Sequence, residues 1–283
     1  MKRLFTFGCS FTEYAWPTWA NLLSLQFDYF ENWGYRGIGN RGIAERVAEC
    51  SLKNKFTKDD VIIVQWSTHL RNDWYHVHNL PDGRPAGWKT SGSMFTNNNA
   101  LLYNKQWVEL FFHEPAYIMH TLNNIKLVQG LLESTSAIWY MTSITDFREL
   151  AIDPQTERVI QSNKNLFEVH PEFNCYSSIW EDYSKHWLTP FYKFSEMHQH
   201  DAWYFKDEKH NTWKEQHLST RQYKKWLLQE LSITDSIVDK LDKLDTMVEN
   251  TKNLSDTMFD FTDKLSVLDC FKEINWPDNI KGL

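Results

Sequence analysis

The six residues Val61-Ile62-Ile63-Val64-Gln65-Trp66 are apolar at every position but one, and no other feature constrains the fold of this chain as tightly. A strand with one wet face alternates polar and apolar residues. A run without that alternation needs cover on both faces, the environment of a central strand in a parallel sheet. Arg3 to Gly8 and Ala137 to Thr142 have the same character, and Phe27 to Trp33 reads as a further strand. Between them, Pro17 to Leu25 and Ile43 to Leu52 carry apolar residues at helical spacing, with Trp19, Leu22 and Leu23 on one side of the first. A longer helical stretch, interrupted by Pro115, precedes Ala137. Strands alternating with helices predict βαβ units and a three-layer α/β/α sandwich around a mostly parallel sheet, with ligands at the carboxyl ends of its strands.

The connections are uneven. Gly34 to Gly42 is a glycine-rich loop, and Leu80 to Asn99 and much of Asp153 to Asn174 read as long loops, lengths usual for lids or insertions. From Leu231 the composition changes to alternating Asp, Lys and aliphatic residues without Gly or Pro until Pro277. Leu241 and Val248 stand seven apart, and Leu244, Met258 and Leu265 keep a second seven-residue register, with breaks at Thr251, Ser255 and Thr262. Such a stripe is buried either against a partner helix, as in a coiled coil, or against the chain's own domain. The expected organisation is a domain over residues 1–230 and an acidic helical tail over 231–283, a candidate assembly segment.

Of the net charge of −7, residues 229–283 carry −6, with twelve Asp or Glu against six Lys or Arg. That balance excludes phosphate-backbone binding, so no nucleic-acid partner is expected. No run of about 18 apolar residues marks a membrane span, and the N-terminus runs directly into a strand, so neither a signal peptide nor a membrane partner is expected. Cys9, Cys50, Cys175 and Cys270 form no CxxC pair, which points to folding in a reducing compartment. Aromatic residues make up 16%, with 14 Trp, fitting either an aromatic core or a cleft that stacks on sugar rings.

Chemistry concentrates in two places. In Phe7-Gly8-Cys9-Ser10-Phe11-Thr12 a serine sits where the first strand turns into the first helix. A tight turn there exposes the hydroxyl at the sheet edge, and helix N-terminal amides stabilise a developing oxyanion; the ordinary alternative for Ser10 is a helix cap. In Glu215-Gln216-His217-Leu218-Ser219-Thr220 a histidine precedes a helical run marked by Tyr223, Trp226 and Leu227, and Glu215 is placed to fix its tautomer. Asp207 and His210 are a competing acid and base pair. Cys9 is a second nucleophile by type, but a packed thiol is the simpler reading. His76-x-His78 and His198-x-His200 lack a third ligand nearby, so no metal and no cofactor are expected.

Together these residues resemble the SGNH hydrolase superfamily, the GDSL-like esterases and acylhydrolases, over about residues 1–230. Gly8-Cys9-Ser10 is similar to the block that supplies the nucleophile, with Cys9 in place of Asp. Asn32-Trp33-Gly34-Tyr35-Arg36-Gly37 resembles the second block, which makes Gly37 the oxyanion glycine. His217-Leu218-Ser219 resembles the last block, with Glu215 in the place of the acid. The family ends its central strand with an Asn that donates to the oxyanion; here Ser67, Thr68 and His69 follow Trp66, so Thr68 and His69 join the amides of Ser10 and Gly37 as candidate donors. The resemblance implies a flavodoxin-like α/β fold and a serine esterase acting on an ester, such as O-acetyl groups of a carbohydrate. The opening Phe-Gly-Cys-Ser-Phe-Thr and the Trp-Pro-Thr-Trp run look like SGNH-type proteins encoded by tailed phages of aquatic bacteria. That implies a second reading: a scaffold with weak or no catalysis, a virion component binding glycan and forming a homo-oligomer or virion contacts through residues 231–283.

Overall fold

A computed structural model describes residues 1–79, 87–90, 105–111, 113–153, 155, 159–162, 164–199, 201–207 and 209–266. In chain order the strands are β1 (Arg3–Phe7), β2 (Tyr29–Asn32), β3 (Asp60–Trp66), β4 (Asp73–His76), β5 (Gly87–Thr90), β6 (Ile138–Ser143), β7 (Leu150–Ile152), β8 (Val159–Gln161), β9 (Tyr204–Lys206) and β10 (Thr212–Lys214). The helices are α1 (Trp19–Ser24), α2 (Asn40–Asn54), α3 (Lys105–Phe111), α4 (Glu114–Glu133), α5 (Leu166–Val169), α6 (Ser178–Glu181), α7 (Phe191–Met197), α8 (Thr220–Glu230), α9 (Asp235–Asn253) and α10 (Met258–Ser266).

The central sheet has the order β2-β1-β3-β6, and all its pairings are parallel. The apolar run from Val61 is its interior strand: Leu4 lies beside Val61 on one side, and Val61 beside Ile138 on the other. From β1 the chain crosses through α1 to one edge. It then returns through α2 and α4 in the opposite direction, and right-handed crossovers put the two movements on opposite faces. The packing agrees, since α1 meets α8 and α2 meets α4. The molecule is therefore an α/β fold with helices on both sides of a parallel sheet, plus C-terminal helices. Three hairpins, β4–β5, β7–β8 and β9–β10, are added outside the sheet. Trp16, Trp19, Trp66 and Trp226 are fully buried, so much of the aromatic content belongs to the core.

Three expectations change. Pro115 lies in the first turn of α4, where its missing N–H costs no helical bond, so it starts a helix instead of interrupting one. The stretch 153–174 is not an open loop: β8 pairs with β7, and α5 and a 3₁₀ turn at Pro171–Tyr176 follow. Its buried Leu166, Phe167 and Phe173 supply the apolar contacts that a short segment needs to hold such structure. Within 80–99, Gly87–Thr90 is a strand paired with β4; the rest lies outside the described residues.

The tail's apolar stripe is covered by the chain itself. Ile237, Leu241, Leu244 and Val248 of α9 are buried, and α9 packs on α8, where Lys224 Nζ donates to Asp242 (2.9 Å) and Asp245 (2.8 Å). Phe261 of α10 is fully buried against Trp16, Trp203 and Phe205, with ring centroids 5.9, 5.0 and 5.7 Å away. No described helix is long and apolar enough to cross a membrane.

Candidate active site

The turn after β1 is built around Gly8. Its φ of +155° is unusual for an L side chain, and an added Cβ would run into Thr12 Oγ1 and sit 2.6 Å from Gln65 Oε1. Gln65 is the one polar residue in the Val61–Trp66 run of β3, and it is fully buried. Its Oε1 accepts from the Cys9 amide (3.1 Å) and Thr12 Oγ1 (3.2 Å), while its Nε2 donates to the Trp66 carbonyl (2.5 Å). At the end of β2, Asn32 Nδ2 donates to the Thr12 carbonyl (3.1 Å) and Asn32 Oδ1 accepts from the Gly34 amide (2.9 Å). Neighbouring strand ends thus hold the turn that presents Ser10. Cys9 is fully buried, its Sγ 3.4 Å from Gln65 Oε1, a packed thiol.

His217 is held by the loop that enters α8. Ser219 caps that helix, accepting from the Gln222 amide. The Trp16 indole donates to the Leu218 carbonyl (3.1 Å), and Thr220 Oγ1 donates to the Pro17 carbonyl (3.2 Å). His217 Nε2 lies 2.7 Å from Ser10 Oγ, and His217 Nδ1 lies 2.6 Å from Glu215 Oε1. The same Glu215 oxygen accepts from the amides of Gln216 (2.8 Å) and His217 (3.1 Å), and Tyr14 OH donates to its Oε2 (3.4 Å). The Tyr14 ring stacks on the imidazole at 3.7 Å between centroids, and Phe11 approaches it at 4.8 Å.

These surroundings set the protonation states. Burial pushes the Glu215 carboxyl up, but the hydrogen bond and charge of His217 and the two amides outweigh it, leaving the group below the usual carboxylate range. Burial depresses His217; Glu215 offsets this in part, and the charges of Arg71 and Arg36 lower it further. At neutral pH the pair is therefore a carboxylate beside a neutral imidazole. The carboxylate fixes the hydrogen on Nδ1 and leaves Nε2 free to accept from Ser10, the arrangement by which a serine hydroxyl is deprotonated as it attacks a carbonyl.

Gly37, with φ of +80°, lies in the loop that passes the Gly8–Thr12 turn, where the Tyr35 amide donates to the Gly8 carbonyl (2.9 Å). Among the described residues, the amides of Ser10 and Gly37 have no acceptor. A carboxamide does stand at the end of β3, but it comes from Asn40, the first residue of α2. Asn40 Oδ1 accepts from the Ser67 amide (2.7 Å), and its Nδ2 donates to the Ser67 carbonyl and Thr121 Oγ1, both at 3.0 Å. Thr68 is half-buried beside it. His69 is buried, with Nε2 4.0 Å from Glu114 Oε2 and no hydrogen bond to that nitrogen.

The structure thus brings Ser10, His217 and Glu215 together and lays the Gly37 loop against their turn. Asp207 and His210 are elsewhere, exposed at the tip of the β9–β10 hairpin. Asp207 there accepts from the amides of Lys209 and Asn211, each at 2.8 Å, and His210 takes a φ of +62°. Among the described residues no three His, Cys, Asp or Glu side chains gather as metal ligands; His200 and Cys270 lie outside them. Tyr14, Trp16 and Gln65 went unremarked as site residues in the sequence. Only Gln65 carried a signal there, as the single polar side chain in the apolar run.

No family model matches the chain, and no curated protein matches it. Among solved structures, the chain is similar to a member of the lipolytic protein G-D-S-L family from Veillonella parvula DSM 2008. The TM-score is 0.40 and the identity 13%, over 81% of this chain and 97% of that one.

Proposed function

We propose that the chain is a serine ester hydrolase that removes an acyl group, O-acetyl on a carbohydrate being the substrate class in view. In this reading Ser10 Oγ attacks the ester carbonyl while its proton passes to His217 Nε2. The amides of Ser10 and Gly37 donate to the oxyanion of the tetrahedral intermediate. The imidazolium, held by Glu215, returns its proton to the leaving alcohol. Water then repeats the cycle on the acyl-serine and releases the acid. One observation carries this reading: an unbroken relay from Ser10 Oγ to His217 to Glu215, with steps of 2.7 and 2.6 Å.

The test is hydrolysis of p-nitrophenyl acetate by the purified protein, with Ser10→Ala as control and mass spectrometry after a fluorophosphonate probe. The expected outcome is turnover that disappears in the variant, with the label on Ser10. Equal rates in both proteins would sink the assignment. The scaffold reading, with copies assembled through residues 231–283, has less support, because the stripe it would use is already covered by the chain's own α8 and aromatic side chains.

A further inference from the structure

We propose that Arg71 reads a negative charge on the substrate, so that the preferred ester is carried by a saccharide bearing a carboxylate. This rests on the ester-hydrolase reading and specifies its substrate.

Arg71 stands between two parts of the molecule. Its Nη1 donates to the Ile38 carbonyl (2.9 Å), immediately after Gly37, and its Cβ side lies against Gly39. It is close enough to the relay for its charge to be felt at His217, and Tyr192 feels it as well. On the other side Arg71 lines a cavity of about 680 Å³ between α2 and α4, whose walls include Asn72, Tyr117, His120 and Asn124. Neither Ser10 nor His217 lines that cavity; Arg71 and Asn40 line it and also border the site.

Arg71 has no carboxylate in direct contact among the described residues. Arg36, the other guanidinium felt by His217, is paired with both carboxylate oxygens of Glu13, at 3.1 and 3.0 Å. Arg41 and Glu45 in the cavity wall pair with one another at 2.8 Å. Arg71 has no ion pair among the described residues, and its Nε is buried without an acceptor. Asp73 feels its charge, but the oxygens of Asp73 accept from the amides of Gly39 (2.9 and 2.8 Å) and Gly42 (3.1 Å). A guanidinium without an ion pair, bonded to the residue after Gly37, in a chain of net charge −7, marks a place for an anion. With Nη1 on the Ile38 carbonyl and Nε buried, the guanidinium offers Nη2 and its charge to a carboxylate. Amide, phenol and imidazole groups in the cavity wall suit the hydroxyls of the attached sugar.

The test compares O-acetylated glucuronic acid with O-acetylated glucuronamide, a near-isosteric pair of which only the acid carries the negative charge. Wild-type kcat/KM is expected to favour the acid by about tenfold to a hundredfold, the range for a hydrogen bond to a charged group. The ratio should collapse toward one in Arg71→Gln and recover in part in Arg71→Lys. Equal kcat/KM for the two esters in the wild type would overturn the proposal, whatever the variants do. Equilibrium binding of unacetylated glucuronate and glucuronamide to wild type and Arg71→Gln separates this idea from the hydrolase reading. If no ester is turned over yet glucuronate binds more tightly through Arg71, the reaction is wrong and the anion site stands. Equal binding of both sugars overturns the anion site by itself.

Discussion

The indole of Trp16 donates to the carbonyl of Leu218, 3.1 Å away, and so joins the segment that follows Ser10 to the loop that carries His217. Tyr14 adds a second tie, with its ring on the imidazole and its hydroxyl toward Glu215. The relay is held from the serine side as well as from its own loop.

Glu215 is the member whose contribution is most cleanly isolated. Glu215→Gln keeps an oxygen near His217 Nδ1 but removes the charge that stabilises an imidazolium and holds the tautomer. We expect kcat for p-nitrophenyl acetate to fall on the order of 10²- to 10⁴-fold with little change in KM. Steady-state kinetics at pH 7.5 decides this; an unchanged kcat would remove Glu215 from the relay.

Much of this was legible in the sequence, and the reason is local. A strand that ends at Gly8 and a serine two residues later form one continuous signal, as do His217 and the helix it precedes. Gln65 stands out as the polar residue of the apolar run, but its role depends on a neighbouring strand's register: β1 and β3 must pair as Phe7 beside Val64 before its side-chain oxygen can meet the Cys9 amide. The tail was ambiguous for a similar reason. A heptad stripe states that a helix face is buried but not what buries it: α9 lies on α8, and Phe261 of α10 meets Phe205 and Trp203, far from it in sequence.

The pH dependence follows from the sign of the His217 shift. In the proposed reaction the ring must be neutral, and burial lowers its folded-state pKa below the ordinary value of about 6.5. The free protein therefore keeps His217 in its base form to lower pH than an exposed histidine would. We expect kcat/KM for a neutral ester to be level at pH 7 and to fall with a midpoint below about 6.5. The unfolded chain binds the extra proton in that window, so stability also declines as pH falls through it. A midpoint above 7 in the pH–rate profile would contradict the burial that sets the shift.

Gln65→Leu tests the buried hub without touching the relay. The Cys9 amide and the Thr12 hydroxyl lose their shared acceptor in a dry interior, at about 1–3 kcal/mol for each group left unsatisfied. Urea unfolding should show a lower midpoint. Ester turnover should fall as well, because the Gly8–Thr12 turn aims Ser10. Loss of stability with full activity would mean that the turn holds its shape without Gln65.

Removal of the tail addresses both its own role and that of the site. Phe261 packs on Trp16, the residue that anchors the His217 loop, so α10 supports the relay from behind. Phe261→Ala should cost about 3–5 kcal/mol, the range for an emptied aromatic site. A chain ending at Glu230 should lose more, because it also uncovers the surface under Leu241, Leu244 and Val248. Thermal unfolding of both variants, with light scattering of the full chain, distinguishes this from an assembly stalk. A stalk would come away without lowering the melting temperature and would take an oligomer with it. An integral layer leaves the full chain a monomer and the shortened one unstable, with esterase activity lost alongside the fold, because Trp16 no longer holds Leu218 in place.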